Sequence, residues 1–174
     1  MRPIGRQRAF EKLAAIRSDF RSEIAAKYEH RAKSCLSCET PGACCLDAHF
    51  VNVRITQLEA EAIARVLDEL PTDMIEAVRK RTADSIKIYK LDEVLKTETA
   101  TYACPLFEKG IGCLVHETAK PLPCIAHACY DSQDDLPPDD LLDEAESAIY
   151  HLNVRTYRQF SQPLPIPLAV STKI

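Results

Sequence analysis

Eight cysteines in 174 residues constrain this chain more than any other feature. Four are packed into one short stretch with the spacing Cys35-x2-Cys38-x5-Cys44-Cys45, and Cys104, Cys113, Cys124 and Cys129 follow later. Packing alone does not call for so many thiols, so their meaning turns on the compartment. The basic N-terminus is not followed by an apolar run of signal-peptide length, and no stretch approaches the roughly 18–20 apolar residues of a spanning helix. A cytoplasmic protein without a membrane partner is therefore expected. In that reducing compartment clustered cysteines serve as ligands rather than as structural disulfides.

The apolar fraction of 46% and the charged fraction of 28% suit a folded globular chain. Its length fits a single domain with a real core, expected over residues 1–162 and followed by a proline-rich tail over 163–174. A net charge of −4 argues against a general nucleic-acid binder. The charge is unevenly spread. Residues 1–33 carry nine Lys/Arg and four Asp/Glu, a balance of +5, and residues 131–146 carry eight acids and no base. Such segments form solvated faces that attract each other within one molecule, or a docking surface for a charged protein partner.

The pattern predicts an α+β fold, mostly α-helical, with a small β-hairpin and short strands and with cysteine-rich metal-binding loops. An N-terminal helix occupies 1–34, its body running from Gln7 to Lys33. Phe10, Leu13, Ile16, Phe20, Ile24 and Tyr28 form its apolar stripe, and Arg17 and Arg21 lie beside that stripe, needing a route to solvent. A cysteine-bearing core spans 35–130. Within it, Val51, Val53 and Ile55 alternate as a strand over 50–55. Thr56 and Glu59 form a capping box ahead of a helix, and Pro71 separates that helix from another running into the nineties. Gly110 and Gly112 allow a tight hairpin between Cys104 and Cys113. Cys124 and Cys129 lie in a proline-bearing loop, a last helix covers 139–160, and the tail is extended, either mobile or laid against the body.

The chemistry resides in the thiols. Two intervening residues let Cys35 and Cys38 turn both sulfurs toward one point, as a tetrahedral thiolate site or a cluster iron requires. A C-x2-C also suits a redox dithiol, but that leaves six cysteines unexplained. On an extended backbone Cys44 and Cys45 point in opposite directions. They then serve two metals, divide into one ligand and one packed thiol, or meet a multinuclear cluster. All eight cysteines are candidate ligands: Cys35, Cys38, Cys44, Cys45, Cys104, Cys113, Cys124 and Cys129. His49, His116 and His127 are close enough in sequence to complete a mixed site. Thiolates suit zinc and iron alike, so zinc, iron and a [4Fe–4S] cluster all stand. A Zn²⁺ held by four thiolates is formally −2 and needs N–H groups and bases around it, and Arg54, Lys109 and Lys120 are nearby in sequence.

Taken together, these elements resemble the cysteine-cluster family of zinc- or iron-chelating proteins, which is named for a CxxCxxCC motif. Cys35, Cys38, Cys44 and Cys45 look like that motif. Cys104-Pro105 resembles the family's Cys-Pro element, Cys113 the next, and Lys120-Pro121 with Cys124 its Arg-Pro-x-x-Cys element. The resemblance covers about residues 35–129. Five residues precede Cys44 where the family has two, Lys120 stands for arginine, His116 stands for tyrosine, and Cys129 is an additional thiol. The resemblance implies metal binding. Related domains in a flagellin lysine methylase make a role in protein modification conceivable.

Three functions follow as expectations: a metal-binding protein without its own catalysis, a metal- or Fe–S-dependent enzyme or protein-modification component, and a thiol redox switch. Against an enzyme, the chain has only four glycines, no Gly-rich nucleotide loop, no nucleophile elbow and no HExxH pair.

Overall fold

The structure, a computed structural model, describes residues 2–33, 39, 40, 42–46, 51–93 and 99–174. In chain order its elements are α1 (Arg6–Lys27), β1 (Ala32–Lys33), α2 (Ala43–Leu46), β2 (Arg54–Ile55), α3 (Gln57–Leu67), α4 (Thr72–Tyr89), β3 (Phe107–Glu108), β4 (Gly112–Cys113), α5 (Leu122–Ala126), β5 (Cys129–Tyr130), α6 (Asp139–Tyr157), β6 (Leu164–Pro165) and α7 (Ile166–Ser171). Helices take 58% of the described residues and strands 8%, so the fold is mostly α with a minor β part. The strands form three separate antiparallel pairs, β1 with β5, β2 with β6 and β3 with β4.

The chain divides into two compact units, each assembled from two separate stretches. The first comprises Met1–Pro41 and Pro121–Ser161. Here α1 packs on α6 and α5. The stripe that α1 buries is Ala9, Leu13, Arg17, Phe20 and Ile24, spaced by four, four, three and four residues. This differs from the sequence expectation. Phe10 and Ile16 are only half-buried, and Arg17, expected at solvent, is 6% exposed. The helix also stops earlier than predicted, at Lys27, passing through a 3₁₀ turn at Glu29–Arg31 into β1. Pairing with β5 needs extended backbone at Ala32 and Lys33, and that pairing overrides the helical pattern. The N-terminal strap is tied to α6, with Ile4 N–H donating to the Arg155 carbonyl at 3.2 Å and Arg155 Nε to the Arg2 carbonyl at 3.0 Å.

The second unit comprises Gly42–Lys120 and Gln162–Ile174. Its core gathers Ile63 and Leu67 of α3, Val78 of α4, Leu91, Tyr102, Leu106 and Val115, closed by Ile166, Ala169 and Val170 of α7. The predicted capping box is present: the Glu59 N–H donates to Thr56 Oγ1 at 3.3 Å, and the Thr56 N–H donates to Glu59 Oε2 at 2.9 Å. The interruption at Pro71 and the Gly110/Gly112 hairpin are also where the sequence predicts them, both glycines having positive φ. The helix after Pro71 ends sooner than expected, at Tyr89, where Lys90 turns into the left-handed region. The strand expected over 50–55 is regular only at Arg54–Ile55, and residues 47–50 lie outside the described ones.

The tail departs most from expectation. Leu164 and Pro165 are extended and laid against β2, but the chain then turns into α7, which buries Ile166, Pro167, Ala169 and Val170. Proline fixes φ and lacks an N–H, which suits the first turn of a helix as well as an extended chain. Pro165 is the N-cap of α7 and Pro167 lies in its first turn.

Candidate metal centre

Four of the eight cysteines, Cys44, Cys45, Cys104 and Cys113, belong to the second unit, and all four are half-buried. Cys44 and Cys45 are on α2, a single helical turn in which the Cys45 and Leu46 N–H groups donate to the Gly42 carbonyl at 2.9 and 3.0 Å. This corrects the assumption of extended backbone. Successive side chains on a helix diverge by about 100°, not by about 180° as on a strand, so the two sulfurs are less opposed than the sequence reading has it.

Gly42 has φ of +83°, and a Cβ built on it would lie 2.0 Å from Phe107 Cζ, far inside van der Waals contact. The aromatic ring of β3 thus lies directly against the backbone where the cysteine turn begins. A second tie is the Cys104 N–H, which donates to the Cys45 carbonyl at 2.8 Å. The Cys104 carbonyl in turn accepts from Phe107 N–H at 3.4 Å, and Phe107 is the cross-strand partner of Cys113. The α2 turn, the Cys104 segment and the hairpin are therefore linked step by step.

Helix α4 holds the same segment from the other side. Arg81 donates through Nε to the Pro105 carbonyl at 3.0 Å and through Nη1 to Glu108 Oε2 at 2.7 Å, and Ser85 Oγ donates to the Ala103 carbonyl at 3.2 Å. Tyr102 anchors it further: its N–H donates to the Val51 carbonyl at 3.0 Å, and its hydroxyl donates to the Val53 carbonyl and accepts from Ile166 N–H. Sequence reasoning missed Arg81. It lies 24 residues from Pro105, and no local motif joins the two.

Burial pushes the Cys113 thiol above its ordinary pKa, opposed by the Val115 backbone N–H and by the positive charge of Lys120. Of the three bases named from sequence, Lys120 thus acts on a cysteine, whereas Arg54 Nε donates to the Pro163 carbonyl at 3.0 Å. His116 follows the hairpin with an exposed ring, its N–H donating to the Cys113 carbonyl at 3.1 Å and its Nε2 3.9 Å from Glu117 Oε1.

The first unit holds Cys124 and Cys129, and its chain range also includes Cys35 and Cys38, which lie outside the described residues, as does His49. Cys124, expected in a loop, is half-buried on α5, a short helix entered through Pro121 with Pro123 in its first turn. His127 is exposed and caps α5, its N–H donating to the Pro123 carbonyl at 3.0 Å. Cys129 is exposed on β5, directly opposite Lys33. Lys33 Nζ is 2.5 Å from Asp131, an ion pair between the basic N-terminal segment and the acidic one, both in this unit.

Among the described residues no three His, Cys, Asp or Glu side chains stand where they could hold one ion. Cys35, Cys38 and His49, which remain candidate ligands, are not among those residues. Thiolates fit zinc and iron chemically. No family model, curated protein or solved structure matches the chain. No helix among the described residues is long and apolar enough to cross a membrane.

Proposed function

We propose that this is a thiolate metal-binding protein of the cysteine-cluster kind, holding zinc or iron, the latter as an ion or a [4Fe–4S] cluster. Cys35 and Cys38 supply two ligands of a centre, and Cys124 and Cys129 supply the other two. The supporting observation is the β1–β5 register, in which Lys33 faces Cys129. Cys35 follows Lys33 by two residues, and two residues of chain span at most about 7 Å. The C-x2-C motif therefore begins two residues along the chain from the cross-strand partner of Cys129. Cys124 is five residues before Cys129, on α5 of the same unit. A soft four-sulfur set suits both metals. The reading includes a cytoplasmic location, where the thiols stay reduced and able to ligate.

Elemental analysis of anaerobically purified protein tests the reading. Brown colour with absorption at about 400 nm identifies a cluster, and a colourless protein holding zinc identifies a mononuclear site. Cys38→Ser and Cys124→Ser are expected to lose metal and thermal stability together, because ligation contributes folding energy. Cys113→Ser should keep its metal. Unchanged metal content in Cys38→Ser and Cys124→Ser would remove both from the ligand set.

A further inference from the structure

The second unit contains a pair of thiols that the proposed centre does not use, and their backbones are directly bonded. The Cys104 N–H donates to the Cys45 carbonyl at 2.8 Å. With one carbonyl and one amide between them, the two Cα atoms lie within about 6.7 Å of each other. Disulfides form across Cα separations of about 4.4–6.8 Å. We propose that Cys45 and Cys104 form an oxidisable dithiol, a modification site that closes into an intramolecular disulfide by exchange with a small-molecule disulfide.

The surroundings favour this pair over other thiols of the unit. The α2 turn carrying Cys45 is bounded by the exposed Ala43 and Leu46, so a reagent reaches it from solvent. The neighbours of Cys104 on either side, Ala103 and Pro105, are held through their carbonyls by Ser85 and Arg81, so Cys104 waits at a fixed position. Burial raises the pKa of Cys113, which makes its thiolate scarcer and the residue a poorer nucleophile. The order of events follows. The Cys45 thiol loses its proton to solvent and its sulfur attacks one sulfur of the reagent, expelling a thiolate that takes up a proton. The Cys104 thiol, deprotonated in turn, attacks the Cys45 sulfur of the mixed disulfide and expels the second thiolate. The two protein sulfurs are oxidised by two electrons together, and the reagent disulfide is reduced to two thiols.

The inference stands apart from the metal reading, since neither thiol belongs to the proposed ligand set. The test uses the full chain as purified with its metal, reduced under mild conditions and then treated with oxidised glutathione. Remaining thiols are alkylated and the digest is mapped by mass spectrometry without reduction. The expected result is a peptide containing Cys45 joined to one containing Cys104, two hydrogens lighter than their sum, and restored to separate peptides by reductant. That product should disappear in Cys45→Ser and in Cys104→Ser and persist in Cys129→Ser. Recovery of both cysteines as alkylated residues, as stable glutathione adducts, or linked to other cysteines would overturn the proposal. The wild-type map decides this alone, so the outcome does not depend on any variant folding.

Discussion

The two units hold their cysteines in opposite ways. In the second, the α2 turn, the Cys104 segment and the β3–β4 hairpin are fixed by backbone bonds, by the Phe107 ring against Gly42, and by Arg81 and Ser85 of α4. In the first, Cys129 is exposed on a two-residue ladder and Cys124 is on a five-residue helix. A thiol held in a bonded framework has its position set by the fold. A thiol on a two-residue ladder is placed by fewer backbone bonds. The contrast is one of scaffolding, dense around the thiols of the second unit and sparser around Cys129 in the first, and it suits the proposed division into a dithiol in the second and a metal centre in the first.

The hardest blow to the preset side is Gly42→Ala. The positive φ and the collision with Phe107 together are expected to cost about 2–4 kcal/mol in urea denaturation. Gly110→Ala has a similar φ of +86° but open space around it, and should cost only about 1 kcal/mol. In Gly42→Ala under native conditions, alkylation of Cys45, Cys104 and Cys113 should accelerate while that of Cys124 and Cys129 stays as in the wild type. Equal acceleration at all five would end the distinction between the units.

What the sequence made legible was local chemistry. The Thr56–Glu59 box, the break at Pro71 and the Gly110/Gly112 reversal each need only neighbours in the chain, and each is found. The mostly helical α+β class follows from the same local patterns. Relations between distant segments were not legible. Arg17 is buried because of what packs around α1, which periodicity does not encode. The proline-rich tail reads as extended, yet Pro165 and Pro167 start a helix whose apolar residues complete a core formed by segments about a hundred residues upstream. In the candidate site, the thiols were visible but their partners Arg81, Phe107 and Lys33 were not, since each acts through tertiary contact.

A smaller effect separates burial from exposure. The Cys113 pKa is raised, so the folded chain keeps this proton where the unfolded chain has lost it. Its stability contribution is complete below the ordinary thiol range and is lost as pH rises through the folded value. Metal-free protein should therefore weaken progressively above about pH 8.5, and Cys113→Ala should flatten that decline. In site-resolved alkylation, Cys113 should react at a higher pH in the folded protein than in urea, where burial is gone. Identical pH profiles in the two states would show that the framework does not shield this sulfur.

The smallest effect is expected at the ladder of the first unit. The Lys33 and Asp131 side chains are 65% and 67% exposed, and the Lys33 pKa is raised chiefly by its hydrogen bond to Asp131 and by that carboxylate's charge. The raised value means any stabilisation is present below the ordinary lysine range and lost only in strong alkali, outside the range in which this fold would be assayed. Two solvated side chains gain little from pairing, and salt screens that little further. Lys33→Ala should therefore leave the metal-free denaturation midpoint unchanged within error at low and high salt alike. Loaded protein provides the sharper reading. If β1 and β5 are ordered mainly by a metal between them, loss of the ion pair should again leave the melting temperature unmoved. A clear drop in the metal-free protein would mean that the first unit, like the second, sets its cysteines through its own side-chain bonds.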